Sequence, residues 1–210
     1  MYKIVLLGPP GSGKGTQAEF LVVELNIPTV STGNIFRAET KSGTELGKQV
    51  EEILKTGALV SDELTNQIVK NRLTQSDVAQ GFILDGYPRT IPQVEFLNSL
   101  VEITMALNID ASDEVVTKRM AARRMCSQCG ANFNILFKPT KQVGICDKCG
   151  GELYIREDAK PEAIAERLKV YHGQIDPILD YYKEQGVLIN IDGEPNINEV
   201  WQEIKNKLSL

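Results

Sequence analysis

Apolar residues recur along this chain in two rhythms. Residues 2–7, 81–85, 103–109 and 187–191 are short, largely unbroken apolar runs, the pattern of strands covered on both faces. Residues 28–31 read as a further extended piece. Residues 14–26, 32–41, 46–55, 62–73, 92–100, 112–124, 161–184 and 197–208 place apolar side chains three and four apart, as amphipathic helices do. Gly43 and Gly57 separate the helices of the second unit, Ser112 is positioned to cap the helix of 112–124, and Pro177 predicts a bend within 161–184. Strand and helix alternate almost throughout, which predicts a parallel sheet with right-handed crossovers, an α/β doubly wound core. The alternation fails between 125 and 160, where four cysteines, several glycines and scattered aromatics replace any helical period, so this stretch reads as a separate small insertion.

Composition narrows the class. With 210 residues, 42% hydrophobic and 24% charged, the chain fits one compact globular unit with small insertions. Its longest apolar runs fall far short of the roughly 20 residues of a membrane span. The first residues lead straight into a strand without a basic leader or cleavage site, which predicts a cytoplasmic location and no membrane partner. A net charge of −5 argues against a general nucleic-acid binder but leaves room for small anions held by local positive charge.

Such a locality follows the first strand. In Gly8-Pro-Pro-Gly-Ser-Gly-Lys14, glycines at 8, 11 and 13 let backbone N–H groups turn inward on an anion. The helix that follows adds its positive end, and Lys14 can reach terminal phosphates. Context distinguishes this from a tight turn with a solvated lysine. The general motif expects Ser or Thr directly after the lysine as a magnesium ligand, but Gly15 intervenes before Thr16 here.

The extended loop Gly8-Pro-Pro-Gly-Ser-Gly-Lys-Gly-Thr-Gln17 resembles that of adenylate kinases. Four more segments resemble that family in the same order: Ser31-Thr-Gly-Asn-Ile-Phe-Arg37, Gly57-Ala-Leu-Val-Ser-Asp-Glu63, Gly81-Phe-Ile-Leu-Asp-Gly-Tyr-Pro-Arg-Thr90 with Gln93, and the stretch from Arg119 to Arg124. The resemblance implies transfer of a phosphoryl group from MgATP to AMP, giving two ADP, by a monomer. It implies an ATP site of Gly11, Ser12, Gly13, Lys14, Gly15, Thr16, Arg119, Arg123, Asn132 and Phe133, with the Phe133 ring against the base. It implies an AMP site of Thr32, Gly33, Arg37, Ala58, Leu59, Val60, Gly86, Tyr87, Pro88, Arg89 and Gln93, the last reading adenine, with Arg156 and Arg167 bridging both nucleotides. Three units are implied: a core of 1–30, 61–122 and 161–210, an AMP-binding insertion at 31–60, and a lid at 123–160. Two positions depart from the family. Arg156-Glu-Asp-Ala159 has one aspartate where relatives often have two, and Asn34 replaces a common aspartate.

Phosphoryl transfer needs no protein nucleophile, because the acceptor oxygen is already ionised; catalysis is positioning and charge stabilisation. Arginine suits it, pairing phosphate oxygens bidentately while staying charged. Six of the eight arginines fall at family nucleotide positions although the chain is acidic. The expected catalytic set is Lys14, Arg89, Arg123, Arg156 and Arg167, with Asp85 orienting magnesium or, on the plain reading, capping locally. Segments 31–60 and 123–160 would move to exclude water.

Cys126-Ser-Gln-Cys129 and Cys146-Asp-Lys-Cys149, 16 residues apart and each followed by glycine, fit a closed tetrahedral zinc site with a structural role. Disulfides or free thiols are the plainer alternatives, and iron could take the same ligands. His172 reads as a bystander and Trp201 as packing against the sheet. Two other functions fit parts of the pattern: a kinase for UMP, CMP or GMP, which Gln93 and residues 57–60 disfavour, and a zinc-ribbon nucleic-acid protein with a nucleotide switch, disfavoured by the lack of an aromatic cluster of the RNA-binding kind. A silent nucleotide sensor would not need Lys14, Asp85 and Arg89 together.

Overall fold

The computed structural model describes residues 1–56 and 58–210, apart from the side chain of Leu46. Gly57, expected to separate two helices and to open an AMP-site segment, lies outside the described residues.

Five strands, β1 (Tyr2–Leu7), β2 (Thr29–Ser31), β3 (Gly81–Asp85), β4 (Met105–Asp110) and β8 (Leu188–Asp192), form one all-parallel sheet in the order β2-β3-β1-β4-β8. The chain leaves β1 toward one edge and later returns to β1's other side, so β1 lies at the switch point, where open α/β sheets form a crevice beyond their carboxyl ends. Register brings Leu6, Ser31 and Asp85 level with one another at that end.

Both faces are covered. Ile4, Leu6, Ile83 and Leu107 pack against α1 (Lys14–Leu25) and α9 (Ile197–Leu208) through Ala18, Leu21, Val200 and Ile204. Val5, Leu7, Leu84 and Ala106 meet Val69 of α4 (Asp62–Leu73), Val94 and Leu97 of α5 (Ile91–Leu100), and Ile178 and Tyr182 of α8 (Ile175–Glu184) on the other face. Alternate strand residues thus serve opposite layers, which is why these strands are apolar throughout. Trp201 rests on Phe20 of α1, ring centroids 5.4 Å apart, within the same layer. Between β2 and α4, helices α2 (Thr32–Ser42) and α3 (Glu45–Thr56) build a satellite cluster of Phe36, Val50 and Val60, which continues into Leu64 and Ile68 of α4. The insertion is a three-stranded antiparallel sheet, β6 (Asn132–Asn134), β5 (Arg123–Cys126) and β7 (Leu153–Tyr154).

Four local expectations are corrected. Helix α6 (Asp113–Ala121) stops before Arg123 and Arg124, because those residues pair with Asn134 and Phe133 as the central strand of the insertion. Ser112 stands at the cap position but makes no side-chain capping bond; its backbone N–H donates to Glu194 Oε1 at 3.0 Å. The segment 161–184 divides into α7 (Pro161–His172) and α8 at Gly173-Gln174, not at Pro177. Pro177 is the third residue of α8, where a backbone N–H has no intrahelical partner to lose. Strand β4 begins at Met105 instead of 103.

Candidate functional site

The loop of residues 8–13 leaves the end of β1 and turns into α1 beneath the crevice. Gly8 and Gly11 have φ of 127° and 92°. A Cβ on Gly8 would lie 2.1 Å from the carbonyl oxygen of Ile109, and one on Gly11 would lie 2.9 Å from that of Val116. Only glycine lets the loop press so closely on β4 and α6. The first turn of α1 contains no acidic side chain and its cap makes no side-chain hydrogen bond; Thr16 N–H donates to the Gly13 carbonyl at 2.9 Å, which leaves the N–H groups of Lys14 and Gly15 for an outside anion.

Lys14 folds back over this loop, its Nζ donating to the carbonyls of Gly8 and Pro9 at 2.7 Å each. Burial pulls its pKa down to about 7; the Asp85 carboxylate opposes the fall, while Arg89, Arg167 and Arg123 add to it. Asp85 closes β3 beside the loop and accepts a hydrogen bond from the Ser31 hydroxyl at 3.3 Å.

A cavity of about 610 Å³ runs from the loop to the insertion. Eight basic side chains border it: Lys14, Arg37, Arg89, Arg123, Lys138, Lys148, Arg156 and Arg167. Against them stand two carboxylates, Glu19 and Asp85. An acidic chain has thus concentrated positive charge in one crevice, a focusing arrangement for polyanions. Where the cavity meets α7, one oxygen of Asp158, Oδ2, accepts from both Arg156 and Arg167, the latter at 2.7 Å. Burial, partly offset by Asp158, brings Arg167 down to about 9, and burial with Arg156 nearby brings Arg37 to about 10, so both remain cations at neutral pH.

A second pocket of about 60 Å³ adjoins the first and gathers Thr32, Gly33, Arg37, Ala58, Leu59, Val60, Gly86, Arg89, Gln93, Arg156 and Arg167. Nine of the eleven residues expected on the acceptor side meet there with the two bridging arginines. The other two stand apart: Pro88 borders the larger cavity, and Tyr87 turns away into the core, its hydroxyl 2.6 Å from Asn66 Oδ1. Thr32 donates to the Gly86 carbonyl at 2.9 Å, tying α2 to the end of β3.

On the donor side Gly11, Gly13, Lys14, Gly15, Thr16, Arg123 and Asn132 border the cavity, and Ser12 is 2% exposed within the loop. Two expected residues are placed otherwise. The Phe133 ring is 7% exposed in the core of the insertion, against Cys126, Cys146 and Leu153, and does not face the cavity. Arg119 spends its guanidinium on backbone carbonyls, donating to Ser12 at 3.2 Å, Gly193 at 2.7 Å and Glu194 at 2.9 Å, which staples the phosphate loop to the turn after β8. The aromatic ring standing on it is the exposed Phe137, 5.6 Å away. Sequence reasoning also missed the Lys138–Glu19 ion pair at 3.7 Å, which joins the insertion to α1 across the cavity mouth; nothing in the local sequence marks it. His172, expected to be idle, pairs with Asp113 at 2.8 Å between α7 and α6.

The four cysteine sulfurs lie within 4.8 Å of one another. Cys126 and Cys149 are 3.5 Å apart and Cys129 and Cys146 3.6 Å, far beyond the ~2.05 Å of a disulfide. Zinc–sulfur bonds of ~2.3 Å give tetrahedral edges of roughly 3.8 Å, so the set fits a tetrahedrally held ion. Each cysteine pair forms the same knuckle: Gly130 donates to the carbonyl of Cys126 at 3.1 Å, Gly150 to that of Cys146 at 2.9 Å, and both glycines have positive φ. Backbone N–H groups of Cys129 and Gln128 pull the Cys126 thiol down, while the neighbouring thiols Cys129, Cys126 and Cys146 push Cys149 up, so the cluster sheds its first proton readily and resists losing the rest without a cation.

Residues 6–187 match the family model described as adenylate kinase. Among curated proteins, the adenylate kinase of Methanothrix thermoacetophila is 49% identical, covering 98% of this chain and 98% of its own length. Those of Lachnoclostridium phytofermentans and Caldicellulosiruptor bescii are 49% and 46% identical, over 96% and 99% of this chain and 95% and 99% of their own lengths.

Proposed function

This chain belongs to the adenylate kinase family and moves the terminal phosphoryl group of ATP to AMP, giving two ADP, and we propose that the crevice at the carboxyl end of the sheet performs this by charge and position alone. The observation that carries the proposal is the convergence of Lys14, Arg89, Arg123, Arg156 and Arg167 on one cavity that joins the phosphate loop to the acceptor pocket.

The loop amides and Lys14 take the donor phosphates, exchanging the two carbonyl bonds of Lys14 for phosphate oxygens. Arg89, whose Nε is steadied by the Gly86 carbonyl at 2.7 Å, takes the acceptor phosphate. Arg123 approaches from the insertion, and Arg156 and Arg167, set by the shared Asp158, meet the charge that spreads over the transferring group. Magnesium, which neutralises phosphate charge when bound with ATP, would be held on this chain's side by Asp85 and Thr16, both of which border the cavity. On the donor side, Arg119 and Phe137 offer the base a cationic and an aromatic face. Gln93 faces the acceptor base.

The units move as 1–30, 61–122 and 161–210 for the core, 31–60 for the acceptor insertion and 123–160 for the lid, closing to shut out water as a competing acceptor. The cysteine set holds zinc; four protein ligands leave no open position, so the ion is structural and supplies the lid with a core its small apolar cluster cannot. In keeping with the family resemblance, the enzyme works as a monomer in the cytoplasm. No helix among the described residues is long and apolar enough to cross a membrane. A coupled assay of ADP formation from ATP and AMP tests the assignment: Lys14→Met is expected to lose nearly all turnover, and retention of wild-type turnover would remove the loop from the mechanism.

A further inference from the structure

Outside the lining of the acceptor pocket, but bonded to Gln93 within it, stands a carboxylate that touches no expected substrate atom yet holds a side chain that does. Asp62 opens α4, and its two oxygens are divided: Oδ1 accepts from Gln93 Nε2 at 2.7 Å and Oδ2 from the Thr90 hydroxyl at 2.9 Å. Gln93 is 2% exposed and sits three residues after Thr90, the cap of α5. From that position a glutamine side chain usually folds back to the cap's own N–H. Here Oε1 reaches one residue further and accepts from the backbone N–H of Arg89 at 2.7 Å.

These two bonds settle which way the carboxamide points. A backbone N–H can meet only the oxygen, and a carboxylate can meet only the nitrogen. Turning the amide over would forfeit both bonds and set N–H against N–H and oxygen against oxygen. One N–H and one oxygen lone pair remain free. A 6-amino purine offers an exocyclic N–H beside a ring acceptor; a 6-oxo purine offers a carbonyl beside a ring N–H, the reverse order. For a base anchored through its sugar and phosphate, an amide fixed in one sense complements only one of the two.

We propose that Asp62 is a positioning residue for nucleobase selection: by locking the Gln93 carboxamide in a single orientation, it makes the pocket accept 6-amino and reject 6-oxo purine monophosphates. This rests on the reading that Gln93 faces the acceptor base. Without Asp62, the amide is held at one end only, and its reversal costs one bond to Arg89 instead of two. Hydrogen-bonded sites owe their selectivity to groups that would be left unpaired by the wrong ligand, and a side chain free to turn leaves none.

The test compares kcat and KM for AMP and inosine monophosphate at saturating ATP in the wild type, Asp62→Ala, Asp62→Asn and Gln93→Ala. Asp62→Ala is expected to lower the ratio of kcat/KM for AMP over inosine monophosphate about tenfold, the worth of one lost hydrogen-bond pin, through KM for the monophosphates. Turnover at saturation and KM for ATP stay within about twofold, which separates orientation of the base from general loss of structure. Asp62→Asn keeps a carbonyl that can accept from Gln93 and is expected to restore most of the ratio. Should Asp62→Ala fail to fold, Asp62→Glu, which keeps the charge at the start of α4 but displaces the carboxylate, carries the same expected fall. A ratio that drops in Gln93→Ala but not in the Asp62 variants overturns the lock while leaving Gln93 at the base. A ratio unmoved in all of them overturns the placement of Gln93 itself.

Discussion

Without phosphate beside it, Lys14 has too little negative charge around it to hold its proton firmly. Its pKa lies at about 7, because burial and three nearby arginines outweigh Asp85. Donor phosphates reverse that balance, so ATP binding must carry a proton onto Lys14. With a pKa near 7, roughly a quarter of the molecules hold that proton at pH 7.5, and nearly all do once phosphate is bound, for an uptake of ~0.75 proton. The same arithmetic gives ~0.1 at pH 6 and nearly ~1 at pH 8.5. The sign follows directly: above pH 7 the nucleotide-free lysine is neutral and must be charged, so affinity for ATP falls with rising pH, by up to about tenfold per unit. Below pH 7 no such cost arises. Isothermal titration calorimetry with ATP alone, repeated at each pH in buffers of different ionisation enthalpy, measures the uptake directly. Uptake that stays near zero between pH 7.5 and 8.5, or that grows toward pH 6, would refute both the burial of Lys14 and its exchange from loop carbonyls to phosphate.

Three further outcomes follow from the site. Cys129→Ser, or removal of the ion with a strong chelator, is expected to lower the melting temperature while sparing most activity at low temperature, and an unchanged melting curve would exclude a structural metal. Asp158→Ala leaves Arg156 and Arg167 facing each other without their shared carboxylate, at a cost of about 1–3 kcal/mol in the free protein. Saturating ADP should restore the missing charge, so the ligand-induced rise in melting temperature is expected to be larger in the variant than in the wild type; an equal rise would contradict the pairing. Phe137→Ala is expected to raise KM for ATP several-fold, about 0.5–1.5 kcal/mol, with little change in melting temperature. Phe133→Ala should do the opposite, because its ring belongs to the core of the insertion.

What the sequence revealed was what local spacing controls. The phosphate loop is legible because its glycines and Lys14 do their work within seven residues, and the cysteine pairs because metal geometry fixes their spacing. The parallel strands stood out because burial on both faces leaves no polar alternation. The misreadings share a different cause. Arg123 and Arg124 continue the helical pattern of α6, yet residues 132–134 and 153–154 draw them into a sheet, a long-range pairing that no local period shows. In the same way Phe133, flanked by two asparagines, is turned inward by the sheet's register, and the exposed ring falls to Phe137, four residues on. The break after α7 follows Gly173 because Pro177 fits comfortably within the first turn of the next helix, whose Ile175 and Ile178 are already buried. The hold of Asp62 on Gln93 spans 31 residues and becomes visible only once α4 and α5 are packed side by side.

That the crevice passes a phosphoryl group between two nucleotides and denies it to water is the central claim. Its most direct test is a ³¹P NMR time course of the purified protein with ATP, AMP and magnesium, recording ADP and inorganic phosphate together. The expected result is two ADP for each ATP and AMP consumed, reversal from ADP alone, and no inorganic phosphate above the uncatalysed rate. Inorganic phosphate accumulating in step with ATP loss, at the same rate with or without AMP, would contradict it.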